Sequence, residues 1–296
     1  MDLLKSPVAM RRWSVASLIG NMTLIFTGGL VRVTGSGLGC STWPQCEPGS
    51  YLPHPEAGLH ALVEFGNRLL TFALITVAIG TFLAAWFARD AAGQPRRDLR
   101  LLAFIAAIGV PAQAVIGGMS VLTNLNPWVV SLHLLASVAM VAVCVALIHR
   151  AVPVEPTLVS RRVGWLTRGV FVLAMVAIVL GTVVTGSGPN SGDGGAERNG
   201  LSPELTARVH SISVWLTLLA LAALLVLAHR IPAVWRAGGL VAAVSVVQGG
   251  IGYLQYFTGN PPGLVAGHML GTALFTAAIT HLWLSTTMRS ASRVAS

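Results

Sequence analysis

Eight apolar runs, near 13–33, 64–88, 99–121, 128–148, 164–185, 205–228, 233–257 and 264–286, dominate this 296-residue chain. Each is close to the roughly 20 residues that a helix needs to cross a bilayer core of about 30 Å. In lipid every backbone polar group must be satisfied within the protein, so runs of this length are expected as helices. The remaining connections are too short for a separate soluble domain. Only 10% of the residues are charged, against about a quarter in soluble domains, and the mean hydropathy is +0.74. The expected fold class is an all-α integral membrane protein with eight transmembrane helices. A net charge of +9 does not point to nucleic acid, because the basic residues are spread along the chain and form no patch.

Their spacing fixes an orientation instead. Lys5, Arg11 and Arg12 precede the first run; Arg89, Arg96, Arg97 and Arg100 follow the second; Arg150, Arg161, Arg162 and Arg168 follow the fourth. Arg230, Arg236, Arg289 and Arg293 complete 15 of the 19 Lys and Arg on one side. The positive-inside rule then puts both termini in the cytoplasm, with the chain in the plasma membrane. The first run lacks a signal-peptide cleavage pattern and is expected to stay in the mature protein. Arg32, Arg68, Arg198 and Arg208 fall at the outer ends of helices.

Cys40 and Cys46 share the first outer loop. In an oxidising compartment a disulfide is expected. The competing readings are a redox-cycling thiol pair and a metal site completed by His54 or His60. Cys144, inside the fourth run, reads as a packing residue.

The chain also repeats itself. Thr34-Gly35-Ser36-Gly37 recurs as Thr185-Gly186-Ser187-Gly188, a shift of 151. Gln113, Ile116, Gly117, Thr123, Pro127 and His133 recur as Gln248, Ile251, Gly252, Thr258, Pro262 and His268, all at a shift of 135. Four helices return the chain to its starting side, so the halves have the same orientation. The expected architecture is two homologous four-helix bundles, 1–150 and 151–296, built as parallel repeats.

Ionisable residues inside a bilayer are functional candidates by default. His149, His229 and His281 lie at cytoplasmic helix ends and read as interfacial. His133 and His268 are repeat equivalents, and His210 lies at similar depth in the sixth run. Two histidines facing each other across one bundle suit axial ligation of a haem iron, and the C-terminal half supplies His210 and His268 with few other metal ligands. The N-terminal half has His133, but its second run reads Glu64-Phe65-Gly66-Asn67-Arg68, with no histidine at the corresponding place. Glu64, Asn67 and Arg68 share a helical face with His60. That face reads either as a structural Glu64–Arg68 ion pair or as a reaction site opposite His133. Arg32 and Arg208 either pair with haem propionates or snorkel to lipid phosphate.

The run from Gly28 to Cys46, GGLVRVTGSGLGCSTWPQC, followed by Glu64-Phe65-Gly66-Asn67-Arg68, resembles the haem A synthases over essentially the whole chain. That resemblance implies an oxidoreductase that converts haem O to haem A by oxidising the C8 methyl to a formyl group, with haem b as resident cofactor. It implies that His210 and His268 ligate haem b in the C-terminal half and that the N-terminal half takes haem O. It implies that Glu64 is the reaction-site carboxylate, that Cys40 and Cys46 are the outer-loop pair, and that His133 is a ligand of the substrate iron. Family members commonly read Glu-x-x-His-Arg, so Asn67 occupies a ligand position. The substrate iron is then expected to be five-coordinate through His133, or to meet Asn67 through a water. Expected partners are haem O, membrane lipid, and a haem O synthase or oxidase assembly proteins. A non-enzymatic cytochrome b-type subunit would require two symmetric bis-histidine sites, and a transporter would require a polar cavity at mid-membrane.

Overall fold

The computed structural model describes residues 6–54, 58–152, 156–190 and 192–288. Lys5, Arg289 and Arg293, counted above among the one-sided cations, lie outside the described residues. Eight helices long and apolar enough to cross a membrane are present among those described, as the apolar runs require. They are α1 (Pro7–Val33), α2 (Gly58–Phe87), α3 (Arg97–Leu122), α4 (Pro127–Ala151), α5 (Arg161–Ser187), α6 (Pro203–Leu227), α7 (Pro232–Phe257) and α8 (Pro262–Leu284). The chain is a multi-pass membrane protein.

Every helix begins before its apolar run. The reason is capping, which polar and proline residues perform outside the apolar stretch. Ser160 and Ser202 accept the backbone N–H of Val163 and Leu205, and Pro127, Pro203, Pro232 and Pro262 open their helices, where a missing N–H does no harm. In α2 the extension brings His60 onto the helix. The eighth run overshoots at its other end: Thr286–Met288 leaves the helix as strand β2 and pairs in parallel with β1 (Thr157–Val159). Neither strand was legible as a period-2 pattern, since each has three residues.

Within the first half α1 packs on α2 and α4, and α3 packs on α2 and α4, closing a ring. The second half repeats it: α5 lies against α6 and α8, and α7 against the same two. The halves meet through α4 and α8, with α1 against α8 and α4 against α5. Both bundles are tightest at the same end. In the first, Met10, Ala84, Ala85, Leu99, Ala103 and Leu147 form a buried cluster. In the second, Val163, Val170, Leu224, Val234, Val241 and Leu282 do the same. These residues begin the odd-numbered helices and end the even-numbered ones. The opposite end, which carries the Cys40–Cys46 loop, is left for polar side chains and for space.

Candidate functional site

In the C-terminal half that space is a cavity of about 690 Å³ between α5, α6, α7 and α8, lined by His210, His268 and Arg208. His210 bonds through Nδ1 to the Ala177 carbonyl at 3.0 Å. A carbonyl only accepts, so Nδ1 carries the proton and Nε2 keeps its lone pair for a metal. The Nδ1 of His268 is buried without a hydrogen-bond partner. Each imidazole faces a glycine on the neighbouring helix: a Cβ on Gly181 would come within 3.3 Å of His210 Cε1, and one on Gly252 within 3.3 Å of His268 Cε1. The helix backbones therefore approach the rings closely enough that a Cβ at either glycine would crowd the imidazole. Arg208 is exposed at the rim, and among the described residues its guanidinium makes no hydrogen bond or ion pair. Two imidazoles, a mostly apolar space and an exposed cation at its rim could hold a metal-bearing group with acidic substituents.

Residues of the α6–α7 seam form one side of the cavity. Trp215 on α6 and Tyr253 on α7 both line it and are about half exposed on the helix surface, at 54% and 45%. The Tyr253 hydroxyl bridges this seam, bonding Ser211 Oγ at 2.8 Å and accepting from Trp215 Nε1 at 3.0 Å.

The N-terminal half uses the equivalent region differently. A Cβ on Gly117 would lie 3.3 Å from His133 Cε1, the same approach as Gly252 to His268, and His133 Nδ1 is likewise buried without a partner. Asn67 accepts from Thr27 Oγ1 at 2.7 Å, so its amide is held against α1 much as His210 is held against α5. Glu64 is turned toward the loop: its Oε2 accepts the Cys40 N–H at 2.7 Å, and its Oε1 accepts from Arg68 Nη2 at 2.5 Å. Arg68 also donates to the Thr42 and Gln45 carbonyls. Cys40 and Cys46 form a disulfide. The metal-site reading of these cysteines is corrected accordingly. His60 Nδ1 bonds Ser36 Oγ at 2.9 Å, and His54 pairs with Glu47 at 3.2 Å.

The structure thus joins Glu64, Arg68 and the disulfide loop in one hydrogen-bonded network, and brings His210, His268 and Arg208 to the lining of one cavity. It makes no hydrogen bond between Glu64 and His133. Arg32 does not line the cavity that holds His210 and His268. Its guanidinium donates to the Thr185 carbonyl at 2.7 Å and to the Asn190 carbonyl, tying α1 to the end of α5. The recurrent Thr-Gly-Ser-Gly motif gains a role: Ser36 bonds His60 at the start of α2, and Ser187 bonds Thr206 at the start of α6 at 2.8 Å.

Three contributors escaped the sequence. Of the glycines opposite the histidines, Gly117 and Gly252 were visible in the repeat only as identities, and Gly181 lay outside it. The Trp43 indole packs on Gly118, where any Cβ would strike the ring. Tyr253 is the repeat equivalent of Gly118 at the shift of 135, so an aromatic on the helix replaces an aromatic on a loop.

Comparison with known proteins finds relatives of this chain. A heme A synthase of Lysinibacillus sphaericus is 29% identical over 181 residues, covering 58% of this chain and 57% of that protein. One of Listeria welshimeri is 32% identical over 122 residues, covering 41% and 38%. One of an Exiguobacterium strain is 28% identical over 174 residues, covering 56% and 54%. The chain thus spans between 38% and 57% of the length of these relatives. The COX15-CtaA family model, described as cytochrome oxidase assembly protein, matches residues 11–189, which span all but the first four residues of the N-terminal bundle's helices together with α5. The match covers more than half of the sequence, and the chain belongs to the COX15-CtaA family of cytochrome oxidase assembly proteins.

Proposed function

We propose that this protein is a membrane oxidoreductase that converts haem O to haem A by oxidising the C8 methyl to a formyl group. The observation that carries the reading is the unequal pair of sites. A cavity lined by two histidines lies in one half, and the buried carboxylate of Glu64 lies in the other, which carries His133. The relatives named heme A synthase support it. We assign residues 1–150 to the substrate half and 151–296 to the cofactor half. The chain sits in the plasma membrane with both termini cytoplasmic, as its cation distribution suggests.

The resident group is haem b, and His210 and His268 hold its iron. Arg208 at the rim meets a propionate, since a guanidinium binds a carboxylate through two parallel hydrogen bonds. When bound, the haem supplies one-electron transfer at a potential set by its two imidazoles. Glycines at 181 and 252 keep the ring faces clear. In the N-terminal half His133 approaches the substrate iron and Asn67 stands on the side where a second histidine would be. Glu64 stabilises positive charge developing at the porphyrin edge or accepts the proton released there. The Arg68 contact and the Cys40 N–H hold its carboxylate in one orientation. A rival cytochrome b-type subunit would want two equal bis-histidine sites, and Asn67 denies it the second.

Pigment analysis of protein purified from cells that make haem O tests the reading. Haem b bound to the protein, together with haem A as product, is expected; bound haem b with no formyl product under any electron acceptor would overturn it.

A further inference from the structure

Arg168 is exposed on the lipid-facing side of α5, seven positions after its first residue, and among the described residues no carboxylate pairs with it. A helix of 27 residues is about 40 Å long against a hydrocarbon core of about 30 Å. Centred in the bilayer, α5 carries the Arg168 Cα about 5 Å inside the hydrocarbon boundary. A guanidinium exposed to acyl chains at that depth is unfavourable unless it reaches an anion. Its stem is long enough to bring the charge back to headgroup level.

The surroundings define where it reaches. Arg168 lines a recess of about 260 Å³ between the ends of α5 and α8, with Gly164, Trp283, Thr286, Thr287 and Met288. The guanidinium stands over the Trp165 ring, 5.1 Å from its centroid, which limits its orientations. Trp283 forms an apolar wall, its ring 4.1 Å from that of Phe171. The β1–β2 pairing fixes Thr286 and Thr287 at the mouth. Packing of Met288 on Gly164 closes the floor, where a Cβ on the glycine would strike the methionine. Leu158, Trp165 and Trp283 remain exposed around the opening, at 60%, 57% and 41%, so the recess faces lipid.

We propose that this recess binds the headgroup phosphate of an anionic phospholipid, with Arg168 as its cation, the Thr287 hydroxyl as a donor and the Trp165 and Trp283 faces against the glycerol and upper acyl chain. A zwitterionic lipid offers the same phosphate with its charge already compensated by choline, so selectivity for net negative headgroups follows. The assignment does not depend on what the histidine-lined cavity holds.

Native mass spectrometry of the delipidated full chain in mild detergent, titrated with phosphatidylglycerol, phosphatidylcholine or inorganic phosphate, tests it. One phosphatidylglycerol should be retained about fivefold more strongly than phosphatidylcholine, the preference expected from one cation. Arg168→Gln should erase that preference, whereas Arg236→Gln, at the same end of the bundle but outside the recess, should keep it. Inorganic phosphate at millimolar concentration should not displace the lipid. Equal retention of both lipids by the unmodified protein, unchanged selectivity in Arg168→Gln, or displacement by phosphate alone would each overturn the assignment. Because the first and third results come from unmodified protein, the test stands even if Arg168→Gln does not fold.

Discussion

Glu64 and Cys40 are joined by a 2.7 Å hydrogen bond from the Cys40 backbone N–H to the Glu64 carboxylate, so the buried acid of α2 and the disulfide loop form one structural unit. Arg68 completes it, contacting both the carboxylate and the loop carbonyls of Thr42 and Gln45. The two readings of Glu64, structural ion pair and reaction-site acid, are therefore separable only by a change that keeps shape and removes charge.

Glu64→Gln is that change. It should leave the haem b spectrum of the other half intact and lower haem A formation on the order of a hundredfold, the usual range for a lost charge-stabilising group. Product per bound haem b, measured by chromatography, decides the matter. Near-normal turnover with poor expression would assign Glu64 to the loop alone.

The loop itself should be locked. In protein prepared without reductant, Cys40 and Cys46 should resist alkylation and appear as one cross-linked peptide, and Cys144, free and buried on α4, should label only after denaturation. Rapid labelling of the first two would return them to redox cycling.

Removal of either cavity imidazole should empty the C-terminal half. His210→Ala and His268→Ala are each expected to lose the low-spin haem absorption, since each deletes one axial ligand. His149→Ala, which breaks only a 2.8 Å contact to His281 at the other end of the bundle, should keep it. A normal spectrum in both ligand variants would remove the cofactor assignment.

Tyr253→Phe tests the seam between α6 and α7. It deletes the hydroxyl that links Ser211 and Trp215 while keeping the ring. Haem transfer to a soluble acceptor should speed up by about fivefold, the equivalent of roughly 1 kcal/mol for a net hydrogen-bond contribution, with an unchanged spectrum. An unchanged rate would mean that the ligand leaves by another route.

Asn67→His installs the histidine that the resemblance to the haem A synthases implies at this position. The Thr27 contact is lost, and with haem O bound the iron should move from five-coordinate toward six-coordinate low spin, read from its absorption and resonance spectra. No spectral change would indicate that position 67 does not face the iron.

Much of this protein was written in one dimension. Hydrophobic length alone determined the eight spans, because lipid leaves a helix as the only way for an isolated segment to satisfy its backbone. The constant shifts of 135 and 151 determined the parallel halves, because four crossings restore orientation whatever the packing. The histidines of interest were legible for the same reason: burying an ionisable group in lipid is unfavourable enough that its presence is informative. What the sequence left open was where side chains point. Glu64, Asn67 and Arg68 share a face of α2, yet Glu64 and Arg68 turn to the loop while Asn67 turns to Thr27 on α1. That choice depends on a loop closing back over the helix, a contact between residues 24 apart in the chain. Arg32 and Arg208 both read as arginines at outer helix ends, but only tertiary packing gave Arg32 the backbone carbonyls of Thr185 and Asn190 and left Arg208 free at the cavity rim. Periodicity records which face of a helix is apolar; it carries no record of which neighbour offers a partner, and that is set by the approach of helices distant in sequence.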